Sequence, residues 1–236
     1  MWLYLCDNVV GGEVSGVAQA GGELPWEPVI PVSERIYQFP AQAFAAADPA
    51  VWCHGEAARL LGPKAHRRDV SRLGDCLAGH LDVFRPHMPL VAAGLYFQPG
   101  FKHLPAGVTV RVEAFNMSQV HGGRQFTMAD AGEAAAEARD APRDPGEVPL
   151  GRTEADSYEL PAGPAMRRQR YIKPAGYERA VAAEVISWTI WPPGPPIAVI
   201  MTTMWLQPYY GNVAASIADG MARGFRVKPR DTEQGT

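Results

Sequence analysis

Six residues between positions 53 and 87 are of the types that ligate zinc or act as nucleophiles: Cys53, His54, His66, Cys76, His80 and His87. Thiolate and imidazole are what zinc takes in four-coordinate sites, and Cys76 and His80 stand one helical turn apart. A metal-assisted hydrolase using Cys76, His80 and His54 is the chemistry such a set would supply. Its spacings argue against that. No Cys-x-x-Cys or His-Glu-x-x-His fixes two ligands rigidly. Cys76 and His80 also fall at the border of an apolar helical stripe, where a sulfur and a half-buried imidazole are ordinary packing residues. The expectation is therefore neither a metal nor another cofactor, with convergence of Cys53, His54, His66, Cys76 and His80 left for the fold to decide.

Other chemistries find less support. Nucleophilic hydrolysis of the common kind needs a Gly-x-Ser-x-Gly elbow, which the chain lacks. His121-Gly122-Gly123 has the composition of an oxyanion-loop fragment, and equally of a simple turn. Gly11-Gly12, Gly21-Gly22 and Gly122-Gly123 lack the lysine or the strand-to-helix setting of a phosphate cradle. The acidic residues lie mostly in one hydrophilic stretch and form no confined pair for acid–base work. What stands out is aromatic: Trp188, Trp191, Trp205, Tyr209 and Tyr210 crowd the last hairpin and its exit. Counted along the strands, Trp188 has one parity and the Trp191/Trp205 pair the other, so each sheet face is expected to carry an indole. One face is core. The other is covered by the N-terminal segment or stands open to a partner or a lipid-like ligand.

The elements that position these residues can be read locally. Trp2–Leu5 and Arg35–Phe39 are short extended pieces within an irregular N-terminal segment, residues 1–40. Asp48-Pro49 starts a helix that runs to Leu61 and stops at Gly62-Pro63. Asp69 opens a second, with Val70, Leu73, Leu77, Leu81 and Phe84 on one stripe. Leu90–Phe97 and Val108–Phe115 are strands of a hairpin with a long loop. Val181–Trp191 and Ile197–Leu206 form a second hairpin across Pro192–Pro196. Asn212 is expected to cap a closing helix with Val213, Ile217, Met221 and Phe225 on one face, followed by a disordered tail, residues 230–236.

Between the hairpins, residues 116–165 read as a flexible insertion without strand pattern, relieved by an Ala- and Glu-rich exposed helix over Thr127–Arg139. Met128 to Leu160 holds nine acidic residues and three arginines, a net of −6, directly before a basic knot of Arg167, Arg168, Arg170 and Lys173. The plain reading is a solvated loop beside a basic strand; the sharper one is an acidic flap that competes with an acidic ligand. The order of elements predicts an α+β fold, an antiparallel sheet with helices packed on it, in one domain over residues 1–229.

With 236 residues, 47% of them hydrophobic, the chain has enough material for a core without staples. A net charge of −3 and a pI near 6.1 give no global basic field for nucleic acid or an anionic membrane. Met1–Val10 contains Asp7, lacks a basic lead-in and does not read as a signal peptide. No stretch reaches the roughly 20 apolar residues of a membrane span. Three cysteines at no framework spacing suit a reducing compartment, and the expected location is cytoplasmic.

The run Glu159-Leu-Pro-Ala-Gly-Pro-Ala-Met-Arg167, the paired strands after it and the segment Asn212–Val227 resemble the ending of a broad group of uncharacterised actinobacterial proteins. In these, a Leu-Pro-Ala-Gly-Pro-Ala segment leads into the last strands of a sandwich similar to that of the PsbP-like family. The resemblance covers about the final 80 residues and implies a scaffold whose members mostly bind other proteins. It carries no catalytic residue. The functional expectation is a non-enzymatic interaction or assembly factor that meets a protein partner through Trp188, Trp191, Trp205, Tyr209 and Tyr210. A small apolar ligand carrier and the metal-assisted hydrolase are the alternatives.

Overall fold

The computed structural model describes residues 26–31, 36–84, 90–96, 108–117, 124–140, 148–173, 182–206 and 208–229. The expected strand at Trp2–Leu5, the residues His87 and His121–Gly123, and the tail beyond 229 lie outside them. Among the described residues the strands and α-helices follow in the order β1 (Trp26–Val29), β2 (Ile36–Gln38), α1 (Ala41–Phe44), α2 (Pro49–Leu61), α3 (Arg67–Phe84), β3 (Leu90–Tyr96), β4 (Val108–Asn116), α4 (Met128–Asp140), β5 (Val148–Pro149), β6 (Glu154–Leu160), β7 (Gly163–Lys173), β8 (Ala183–Ile190), β9 (Ile197–Trp205), α5 (Gly211–Gly224) and β10 (Arg226–Pro229). Eight strands make one antiparallel sheet in the order β2-β3-β4-β9-β8-β7, with β6 and β5 both on the outer edge of β7; β1 and β10 form a separate ribbon. The architecture is α+β.

Local chemistry explains most boundaries. The Asp48 carboxylate accepts from Val51 N at 3.0 Å and Pro49 occupies the first helical position, so α2 begins there. It ends at Gly62, whose N–H donates to the Ala58 carbonyl at 3.0 Å. In α4 the Thr127 hydroxyl accepts from Asp130 N, and the Asp130 carboxylate accepts from Thr127 N, a reciprocal cap.

Three expectations change. Glu154–Leu160 is a strand, although only Ala155 within it, under α4, is buried, and an edge strand so largely exposed shows no alternation. Helix α4 is not merely exposed: Ala131, Ala135 and Ala138 are buried against the sheet. Asn212 does not cap α5, whose N-cap is Tyr210 without a side-chain bond. Of the residues expected on its buried face, Met221 and, just beyond the helix, Phe225 are buried and Ile217 is partly buried, but Val213 is exposed; Ala214, Ala218 and Ala222 complete the face and let this helix lie close on the sheet.

The sheet separates two sets of apolar clusters. On one face, α5 covers Val108, Val110, Val112, Ile186, Trp188, Ile190, Val199, Met201 and Trp205. On the other, α2 and α3 pack Cys53, Ala57, Leu73, Leu77, Leu81 and Phe84 with Ala93 and Leu95 of β3, and α4 packs on β6 and β7 through Ala155 and Met166.

His80 is part of the α2–α3 cluster's surroundings, 3% exposed and stacked on Phe84 with ring centroids 6.2 Å apart. Burial pushes its pKa down to about 3 from an ordinary 6.5. Below pH 6.5 the unfolded chain takes up a proton that the folded chain refuses. Stability is therefore complete above that pH and declines by about 1.4 kcal/mol per unit as pH falls towards 3. Urea unfolding of wild type and His80→Leu is expected to show the wild type losing about 2 kcal/mol more than the variant between pH 6.5 and pH 5. Parallel losses would mean that His80 titrates normally in the native state.

Candidate functional site

The Cys and His side chains are distributed through the α2–α3 hairpin. His54 Nε2 meets Asp75 Oδ1 at 2.9 Å, both groups being exposed. The imidazole lies against Gly74, where a Cβ would stand 1.8 Å from His54 Cδ2. Ser71 Oγ approaches the other Asp75 oxygen at 3.5 Å, so the carboxylate sits between Ser and His, and no imidazole is placed to take the hydroxyl proton. Burial raises the Cys53 thiol to about 11 and the Cys76 thiol to about 12, keeping both protonated at neutral pH. Among the described residues no three His, Cys, Asp or Glu side chains are grouped to hold a metal ion.

The aromatic residues divide differently from their parity reading. Trp205 pairs with Glu184 and Trp188 with Met201, which puts both indoles on the α5 face, 1% and 2% exposed. The Trp188 indole N–H donates to Asp219 Oδ1 at 2.9 Å, and Arg167 Nε donates to the same oxygen at 3.0 Å. Trp191 leaves the end of β8 towards the opposite face and joins Ala131 and Ala198. Tyr209 is 80% exposed and stands edge-to-face with the half-buried Tyr210, ring centroids 5.3 Å apart.

At Trp191 the chain forms a concave site. The Phe126 ring stacks on the indole at 4.8 Å and 4°, and the Arg124 guanidinium lies 5.5 Å from the Phe126 centroid. Arg124 is clamped by Asp130, one of its bonds being Nη1 to Oδ2 at 3.0 Å. Arg124 and then Thr127 hold the Asp130 carboxyl well below the usual carboxylate range. These side chains, with Met117, Gln125, Ile197 and the turn residues Pro192, Gly194, Pro195 and Pro196, line a cavity of about 170 Å³. The turn is fixed from both sides: Met117 N donates to the Pro196 carbonyl at 2.7 Å and Trp191 N to the Pro164 carbonyl at 3.0 Å.

Beside this pocket, on the same face, a strip along the middle of the sheet is covered by no helix among the described residues. The register there reads Ala155, Arg168, Ser187, Thr202, Arg111, Ala93 across β6, β7, β8, β9, β4 and β3. Residues paired across strands point to one side. The two alanines lie under α4 and under α2–α3 respectively, and the four polar residues between them are each partly exposed. Arg111 Nε donates to Glu113 Oε2 at 2.8 Å. The basic knot is thus split by strand alternation: Arg167 turns to Asp219 on the α5 face, while Arg168 and Arg170 face the strip.

Arg111, Ser187 and Thr202 carry no motif, and their meeting depends on two strand registers. Phe126 and Arg124 precede α4 in a stretch read as insertion; the one local signal for them is Thr127, three residues before Asp130.

No protein-family model matches the chain, and no curated protein matches it in sequence. Among solved structures it is similar to LpqN of Mycobacterium tuberculosis, a protein involved in cell envelope biogenesis, at 10% identity over 90% of this chain and 89% of that one, with a TM-score of 0.43. Among the described residues no helix is long and apolar enough to cross a membrane.

Proposed function

We propose that the protein is a non-enzymatic binding module that engages a partner protein by seating one apolar side chain in the pocket between Phe126–Trp191 and the Pro192–Pro196 turn. The observation that carries this reading is the size of the pocket. At about 170 Å³ it is close to a cavity that holds one benzene ring, about 150 Å³, and below the roughly 300–1,000 Å³ of sites that enclose a small-molecule ligand. One aromatic or leucine-sized group fits, which favours a protein anchor over a carried lipid. The walls suit an anchor: a stacked aromatic pair, a proline-rich rim that loses little freedom on binding, and an arginine already held in place by Asp130. Of the aromatic residues named from sequence, Trp191 lines this pocket, while Trp188 and Trp205 support the sheet from the α5 face and Tyr209 and Tyr210 lie away from it, beyond the other end of β9.

The test is selection of a displayed random 12-mer peptide library on the folded protein. Peptides sharing a single Trp, Phe or Leu anchor are expected to emerge. Their binding should weaken at least tenfold on Phe126→Ala, or on Gln125→Trp, which places an indole at the pocket mouth. The reading fails if no anchor is enriched, or if both variants bind the selected peptides as wild type does while keeping the wild-type circular dichroism.

A further inference from the structure

We propose that the flank of the sheet beside α5, on the opposite side from the apolar pocket, binds a neutral oligosaccharide. Helix α5 packs on β8 and β9, so β7 and β6 run on past its edge. Among the described residues every exposed aromatic side chain stands on that side: Tyr158, Tyr171 and Tyr209. Tyr158 leans on the Trp188 ring with centroids 5.1 Å apart, Tyr171 shares a cross-strand row with Glu184 and Trp205, and Tyr209 lies two residues before α5 begins. Tyr158 is paired with Ala165, so the strand rise places Tyr158 and Tyr171 roughly 20 Å apart along β7. That span suits several sugar rings rather than one. A pyranose has apolar C–H faces that lie flat on an aromatic ring, and tyrosine presents such a ring at small entropic cost.

Between the rings runs one connected set of polar groups. Arg167 Nε donates to Asp219 Oδ1 at 3.0 Å and Arg167 Nη1 to Gln169 Oε1 at 2.8 Å; the Gln169 amide and the Tyr171 hydroxyl both donate to Glu184 Oε1, the hydroxyl at 3.2 Å. Among the described residues these bonds leave Arg167 Nη2, Asp219 Oδ2 and Glu184 Oε2 unused. The Arg167 and Asp219 side chains keep 19% and 25% of their surface open, which puts groups already held in place within reach of a ligand. A sugar hydroxyl both donates and accepts, and this flank offers donors beside acceptors. Arg167, Asp219 and Glu184 together carry one net negative charge, which favours a neutral ligand over an anion. Gly211 adds a gap at the Tyr209 end: a Cβ there would stand 3.7 Å from Trp205 Nε1 and 3.8 Å from Glu184 Oε2, and that indole N–H is buried without a partner. One hydroxyl in the gap satisfies both, accepting from the indole and donating to the carboxylate.

The experiment screens the full chain against an array of neutral hexose and pentose oligosaccharides in α and β linkage, with sialylated and sulfated glycans beside them, and titrates each hit by calorimetry. At least one neutral oligosaccharide is expected to bind. Its affinity should fall at least tenfold in Tyr171→Ala and in Glu184→Gln, which exchanges an acceptor oxygen for a donor at nearly constant shape. Gly211→Ala should also weaken it, and because alanine favours the α5 helix over glycine, that loss does not come from unfolding. Val51→Ala, exposed on α2, should bind as wild type does. The proposal is overturned if no neutral glycan binds, or if only sialylated or sulfated ones do. It is equally overturned if Tyr171→Ala, Glu184→Gln and Gly211→Ala all keep wild-type affinity and native circular dichroism.

Discussion

Trp188→Ala is expected to cost about 3–5 kcal/mol of folding free energy, a large share of the roughly 5–15 kcal/mol that holds a domain together. The indole is 2% exposed at the centre of the cluster beneath α5, so its removal leaves a cavity between helix and sheet that the mostly alanine face of α5, with Met221 as its one long buried side chain, fills poorly. It also takes away the N–H that reaches Asp219. Trp188→Phe isolates that second effect: most of the ring packing stays, and the loss should fall to about 1–2 kcal/mol. Asp219→Ala, which takes the carboxylate from the partly buried Arg167 guanidinium, leaving it its bond to Gln169, as well as from the indole N–H, should cost about 1–3 kcal/mol. Urea unfolding at pH 7 measures all three. An alanine variant within 1 kcal/mol of wild type would mean that Trp188 does not support α5.

Gly163→Ala should destabilise by roughly 2–4 kcal/mol through backbone strain and collision together. Gly163 has φ of +123°, a region that L side chains rarely adopt, and a Cβ there would stand 2.5 Å from the Trp191 carbonyl oxygen and 3.0 Å from Pro193 Cδ. Neither obstacle can step aside, since one is backbone and the other a proline ring. The start of β7 must then move from the turn it supports, disturbing the Phe126–Trp191 stack. Near-UV circular dichroism should therefore change along with the unfolding midpoint. The matching control is Gly220→Ala in α5, where nothing lies within 4 Å of the new methyl; it should stabilise by about 0.5–1 kcal/mol. Equal effects at the two positions would show that the contact between β7 and the proline turn is not tight.

Much of this fold is legible in the sequence where the cause is local. Asp48-Pro49 and Gly62 bracket α2 because capping involves groups within one turn of each other. The hairpin β8–β9 announces itself through β-branched and aromatic density on either side of prolines. Strand β6 escapes because Glu-Ala-Asp-Ser-Tyr-Glu-Leu buries only its alanine. The α5 face is read only in part: Met221, Phe225 and Ile217 pack on the sheet, but the alanines that complete the face were passed over because larger apolar side chains outrank them by hydrophobicity, whereas the close approach of helix to sheet selects by size. The parity of the indoles fails at the turn: residues on facing strands share a side according to register, and Glu184 opposite Trp205 sets that register. The strip is the least legible part. Its polar residues come from four strands, and each carries meaning only beside the others.

The sheet acts as a partition. The clusters on its two sides share no side chain, so a substitution on one side reaches the other only through the backbone between them. The half of the molecule beneath α5 can keep the chain folded while Arg111, Ser187, Thr202 and the proline turn drift.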